Sequence, residues 1–123
     1  MAGRLTISTL NDDTGVLATQ NGMTGVAKSW VKFVGNPVAI SGSFNVSSVT
    51  RASAGAYTVN FTTAMPNANY AFAISGGSPA NAPSYFSGSQ LTSSLGVNLF
   101  NIAGGGTITS ADASVVTAVV FSS

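Results

Sequence analysis

The sequence predicts an all-β protein: an antiparallel β-sandwich or a jelly-roll-like barrel, with a short extended N-terminal arm. Three observations predict it. Apolar and polar residues alternate over several short runs, and turn-forming Gly, Pro and Asn separate those runs at near-regular spacing. No stretch carries the 3.6-residue periodicity of an amphipathic helix. Gly, Pro and Ser together approach the share at which low complexity is suspected. However, 45% of the 123 residues are apolar and only 6% are charged, the reverse of a disordered composition. The length suits one domain with a real core, divided here into an arm (1–25) and a β-head (26–123).

In chain order, Leu5–Leu10 alternates briefly and could form a strand. Asn11–Gly25 holds three glycines and reads as turns around the apolar pair Val16-Leu17. Val26–Val34 is a strand that Gly35-Asn36-Pro37 ends. It places Ser29, Val31 and Phe33 on one face and Lys28, Trp30 and Lys32 on the other. Val38–Thr50 reads as one long strand with a bulge or bend at Gly42, with Phe44 and Val46 sharing a face. After a connection at Arg51–Ala56, Tyr57, Val59 and Phe61 alternate with Thr58, Asn60 and Thr62, the former inward. A turn around Pro66 leads to Tyr70, Phe72 and Ile74 opposite the small Ala71 and Ala73. Gly76–Gln90 reads as the longest loop, and Leu95–Ile102 as a strand. Beyond the glycines at 104–106, Val115–Phe121 is apolar almost throughout, the pattern of a strand covered on both faces. The expected total is six to eight strands.

The residue inventory excludes more chemistry than it offers. The chain has no His, Cys or Glu, so hydrolase triads, thiol nucleophiles and zinc-thiolate sites are ruled out. General acid–base work would fall to Asp12, Asp13, Asp112 or a lysine or tyrosine whose pKa few neighbouring charges could shift. Asp12 and Asp13 are adjacent and point apart on an extended chain, unlike a glycosidase pair. Asn11–Gly15 has too few carboxylates for a calcium loop, and the glycine run lacks the Lys-Ser/Thr of a phosphate loop. No enzyme activity, cofactor or metal is expected. A net charge of +1 gives no footprint for nucleic acid, and no apolar run is long enough to span a membrane. The N-terminus lacks the apolar core of a signal peptide.

Two sets of residues remain as candidate contacts. Tyr85 and Phe86, with Asn81 and Gln90, put aromatic rings beside amides in the long loop, the chemistry that saccharides use. Trp30, flanked by Lys28 and Lys32, sits on the strand face opposite Phe33. Either it packs under the N-terminal arm or it buries against another copy of the chain, with lysine stems along the ring edges.

The segments "AKSWVKFVG", "SFNVSSVTR" and "GAYTVNFTTAMPNANYA" follow one another from Ala27 to Ala71. In order and spacing they resemble the distal domain of bacteriophage and prophage tail-fibre proteins. There an A-K-x-W-V-x-F segment precedes S-F-N-V-S-S-[IV]-T and then Y-T-[VI]-N-F-T-x-x-[ML]-P-[ND]-x-N-Y. The close, "ADASVVTAVVFSS", is similar to that family's last strand, which often ends in Phe-Arg. Lys32 stands where the family usually has Asn. The resemblance implies a structural virion protein, assembled in the host cytoplasm as a homotrimer. Candidate roles follow: Trp30, Lys28 and Lys32 at the trimer interface, and Tyr85, Phe86, Asn81 and Gln90 against host-surface glycan. Leu5, Ile7 and Leu10 would attach the chain to other virion proteins. Its length leaves no room for a long shaft, so a capsid decoration or head-fibre protein with no receptor role is the alternative.

Overall fold

The structure is a computed structural model. It describes residues 3, 10–12, 15–17, 26–77, 85–102 and 105–122, with backbone alone for 10–12, 15–17 and 85–87. Strands β1 (Leu10–Asp12) and β2 (Gly15–Leu17) form an antiparallel hairpin of their own. Nine more follow: β3 (Ser29–Gly35), β4 (Val38–Phe44), β5 (Val46–Ser53), β6 (Ala56–Phe61), β7 (Ala71–Gly77), β8 (Tyr85–Leu91), β9 (Ser94–Ile102), β10 (Ile108–Ser110) and β11 (Val115–Phe121). There is no helix among the described residues.

These nine strands form two antiparallel sheets packed face to face, a β-sandwich rather than a closed barrel. One sheet runs β4-β3-β11-β7. In the other, β5 pairs with β6 and β6 with β9, while β8 lies on the far side of β9. Phe100 pairs with both Tyr85 and Ser110, so β10 continues the line of β6 along the same side of β9. The core between the sheets takes Val31 and Phe33 from β3 and Val116, Ala118 and Val120 from β11. The facing sheet supplies Tyr57, Val59 and Phe61 from β6 and Leu95, Val97 and Leu99 from β9. Edge-to-face contact of Phe33 with Tyr57, centroids 5.2 Å apart, joins the two layers.

The alternating strands fold as their pattern dictates, with Tyr57, Val59 and Phe61 inward and Tyr70, Phe72 and Ile74 on the core side of Ala71 and Ala73. Four expectations need correction. The segment 38–50 is two strands in different sheets, because Asn45 takes a left-handed φ of 56° between them. Phe44 therefore faces outward, while Val46 packs against the core. Gly76–Gln90 is not one loop: 85–91 forms β8, which satisfies the second edge of β9. Arg51–Ser53 belongs to β5 rather than to the connection, which is a turn at Ala54-Gly55 with Gly55 at φ 72°. Finally, the piece around Val16-Leu17 is a hairpin strand rather than part of a run of turns. The Gly42 irregularity is present: pairing shifts between Gly42 and Ile40 and leaves Ser41 bulged.

Candidate interaction face

The outward face of the β4-β3-β11-β7 sheet is built by cross-strand register. One row runs Phe44, Trp30, Val119, Ala73 across the four strands. The next runs Gly42, Lys32, Thr117, Ser75. Phe121, opposite Ala71, and Val115, opposite Gly77, extend the apolar surface along β11. Trp30 is 41% exposed and Phe44 55% exposed, and Phe121 and Val115 are also open. The β11 pattern predicts cover on both faces; among the described residues the inner face is buried, while outward Thr117 and Val119 are half-buried and Val115 and Phe121 exposed.

Local features fix Trp30 in place. A Cβ at position 42 would lie 3.3 Å from Cζ3 of the indole, so the ring rests over the bare backbone of Gly42. The Asn45 side chain donates to the Lys28 carbonyl at 3.1 Å and the Thr63 carbonyl at 3.0 Å, and accepts from the Thr63 N–H at 2.7 Å. That amide ties the start of β3, the β4–β5 corner and the segment after β6 into one unit. Lys28 and Lys32 flank Trp30 on the same face, as the period of two requires. Among the described side chains Asp112 is the one carboxylate, and it pairs with Arg51, so neither lysine has an acidic partner among them.

The opposite outer face, on the β5-β6-β9-β8 sheet, has different chemistry. Its register brings Thr50 opposite Thr58, Thr58 opposite Gly96, and Gly96 opposite Ser89. Ser48 pairs with Asn60, whose amide donates to the Ser48 hydroxyl at 3.1 Å. The centre of this face is therefore hydroxyl- and amide-rich, while Ile102, opposite Ile108 at one end of it, and Leu91 are exposed. The other face presents aromatic rings between two cations.

The only strongly perturbed ionisable cluster among the described residues has a structural role. Asp112 accepts from Arg51 Nε at 3.0 Å and Nη2 at 2.7 Å, from the Gly55 N–H at 3.0 Å and from the Tyr57 hydroxyl at 2.5 Å. These hydrogen bonds, Arg51's foremost, hold its carboxyl well below the usual range. Burial, then the same carboxylate, pushes the Tyr57 phenol up. The cluster pins the segment before β11 onto the β5–β6 turn, and it leaves no group poised for proton transfer near neutral pH.

The remaining candidates scatter. Tyr85 and Phe86 lie on β8, opposite Phe100 and Leu99. The Gln90 amide donates to the Tyr70 carbonyl, and the Tyr70 hydroxyl bonds the Ser94 carbonyl at 2.8 Å, so Gln90 helps bind the β8–β9 hairpin to the start of β7. Leu10 opens β1, while Leu5, Ile7 and Asn81 lie outside the described residues. Phe44, Gly42 and Asn45 belong to the Trp30 face although nothing in the sequence singled them out for it. The chain matches no family model, no curated protein and no solved structure.

Proposed function

We propose that this chain is a structural virion protein of the tail-fibre kind, which assembles as a homotrimer through the Trp30 face and contributes to host-surface attachment. One observation carries the reading: a sheet face on which Trp30 and Phe44 form an aromatic row left exposed by the described residues. Contiguous exposed apolar surface of this sort marks an interaction site, and Trp is enriched at interface centres. The resemblance to tail-fibre proteins supports the same reading, since its W-V-x-F segment is the strand that carries Trp30. Low net charge offers little repulsion against self-association. The antiparallel frame is suited to adhesion by side chains on its edges and connections, and β8, which holds Tyr85 and Phe86, pairs with β9 alone among the described strands.

Native mass spectrometry and sedimentation test the assembly: a trimer at micromolar concentration is expected, and a stable monomer overturns it. Immunolabelling of particles tests the location. Label at the tail supports the fibre reading, and label on the capsid supports a decoration protein. Binding of the purified protein to host cells, lost in Tyr85→Ala or Phe86→Ala, is the expected result for attachment.

A further inference from the structure

The chain carries three acidic residues in all, and their placement suggests what covers the Trp30 face. Asp112 is consumed by Arg51. Asp12 and its sequence neighbour Asp13 are the other two; Asp12 ends β1, where it pairs with Gly15. Lys28 and Lys32, which flank Trp30, are the cations with no acidic partner among the described side chains. The hairpin is also apolar in part, with Leu10 opposite Leu17 and Val16 beside it. Its strands are three residues each, and an isolated two-stranded hairpin is marginal in water unless it packs on something.

We propose that the β1–β2 hairpin of a neighbouring copy docks on this face, with its leucines on the Phe44–Trp30 row and its carboxylates against Lys28 and Lys32. The inference rests on the proposed assembly and names what makes it. Direct apposition of two such faces would set lysines against lysines, which costs affinity. An exchanged hairpin brings the missing negative charge and apolar cover together. Eight residues, 18–25, join Leu17 to Val26. Fully extended they reach about 28 Å at most, enough to leave their own domain for an adjacent one. A hairpin folded back on its own domain would cover the face and leave it nothing with which to hold a second copy.

The absence of cysteine makes the test clean. Gly15→Cys, on the hairpin side that carries Leu10, Leu17 and Asp12, in a size-tagged chain and Thr117→Cys, in the Lys32 row, in an untagged chain are co-expressed and oxidised. The expected product is a disulfide-linked tagged–untagged band, abolished by reductant. In parallel, Asp12→Lys with Asp13→Lys should weaken assembly by about tenfold or more, and adding Lys28→Asp with Lys32→Asp should restore it. Far-UV circular dichroism confirms that each variant is folded. An oligomer that ignores the charge reversal and gives no mixed band overturns this inference while leaving the assembly intact. A cross-link found only within one chain, in the Gly15→Cys/Thr117→Cys double variant, also overturns it. A wild-type chain that stays monomeric overturns the assembly itself.

Discussion

Trp30→Ala separates what the indole does for its own domain from what it does for a partner. Trp30 is 41% exposed, and a tryptophan side chain carries up to about 250 Å² of contact surface. Roughly 100 Å² is then left for a neighbouring copy, while roughly 150 Å² already lies against Gly42 and its own sheet. At about 25 cal/mol per Å² the free part stabilises each contact by about 2.5 kcal/mol, close to two decades in the association constant. Losing the covered part costs the isolated domain at most about 4 kcal/mol, since extended-chain areas are upper bounds. Phe44→Ser is the companion: at 55% exposed, it has less to lose within the domain and as much to lose at the contact. Sedimentation velocity over a concentration series reads assembly, and thermal melting in dilute solution reads the domain. Both variants should need well over tenfold more protein to assemble, with Phe44→Ser melting closer to wild type. If Trp30→Ala assembles at the wild-type concentration, the face is not an interface and the reasoning fails.

Further outcomes follow from the clamps around that face. Asp112→Asn removes a carboxylate that accepts four hydrogen bonds and, because the ion pair is partly exposed, should destabilise the domain by about 1–2 kcal/mol at pH 7. Because the folded pKa of Asp112 is depressed, its contribution is complete above the unfolded value of about 4 and is lost as pH falls through the folded value. The urea midpoints of wild type and Asp112→Asn should therefore converge in acid, and a gap unchanged at pH 2 would contradict this account. Asn45→Ala loses three hydrogen bonds and strains a residue at φ 56°, for about 2–4 kcal/mol. Asn45→Gly keeps the φ and should be about 1 kcal/mol milder by denaturant unfolding; equal losses would remove the backbone argument. A Cβ at Gly88 would sit 2.6 Å from Cζ of Phe72, so Gly88→Ala should cost about 1–3 kcal/mol. Shortening the ring in Gly88→Ala/Phe72→Leu should return part of that loss in a double-mutant cycle, and purely additive losses would disprove the contact.

The class of fold was legible because side-chain alternation is local. Tyr57, Val59 and Phe61, or Val31 and Phe33, name the core side of their strands without reference to any other strand. The same rule placed Trp30 between Lys28 and Lys32 on an outer face. The paucity of titratable groups was likewise visible, since composition alone sets which chemistry a chain can assemble. What the sequence could not decide was which elements meet. The strand from Val38 onward looks continuous until Asn45 turns it into the other sheet, and that turn depends on carbonyls at Lys28 and Thr63, remote in sequence. The glycine- and proline-rich stretch hid β8 because a strand with Gly88 in it is stabilised by Phe72 from the other sheet and by the edge of β9, not by its own propensity. The aromatic row of Phe44, Trp30 and Val119 exists only as register between three strands. The sequence by itself determined the all-β class, the inward faces of the clearly alternating strands and the lack of His, Cys and Glu, because those follow from period and composition. The tertiary structure alone decided that Phe44, Trp30 and Val119 would share one open row, because that is a property of strand order and register, which no single strand contains.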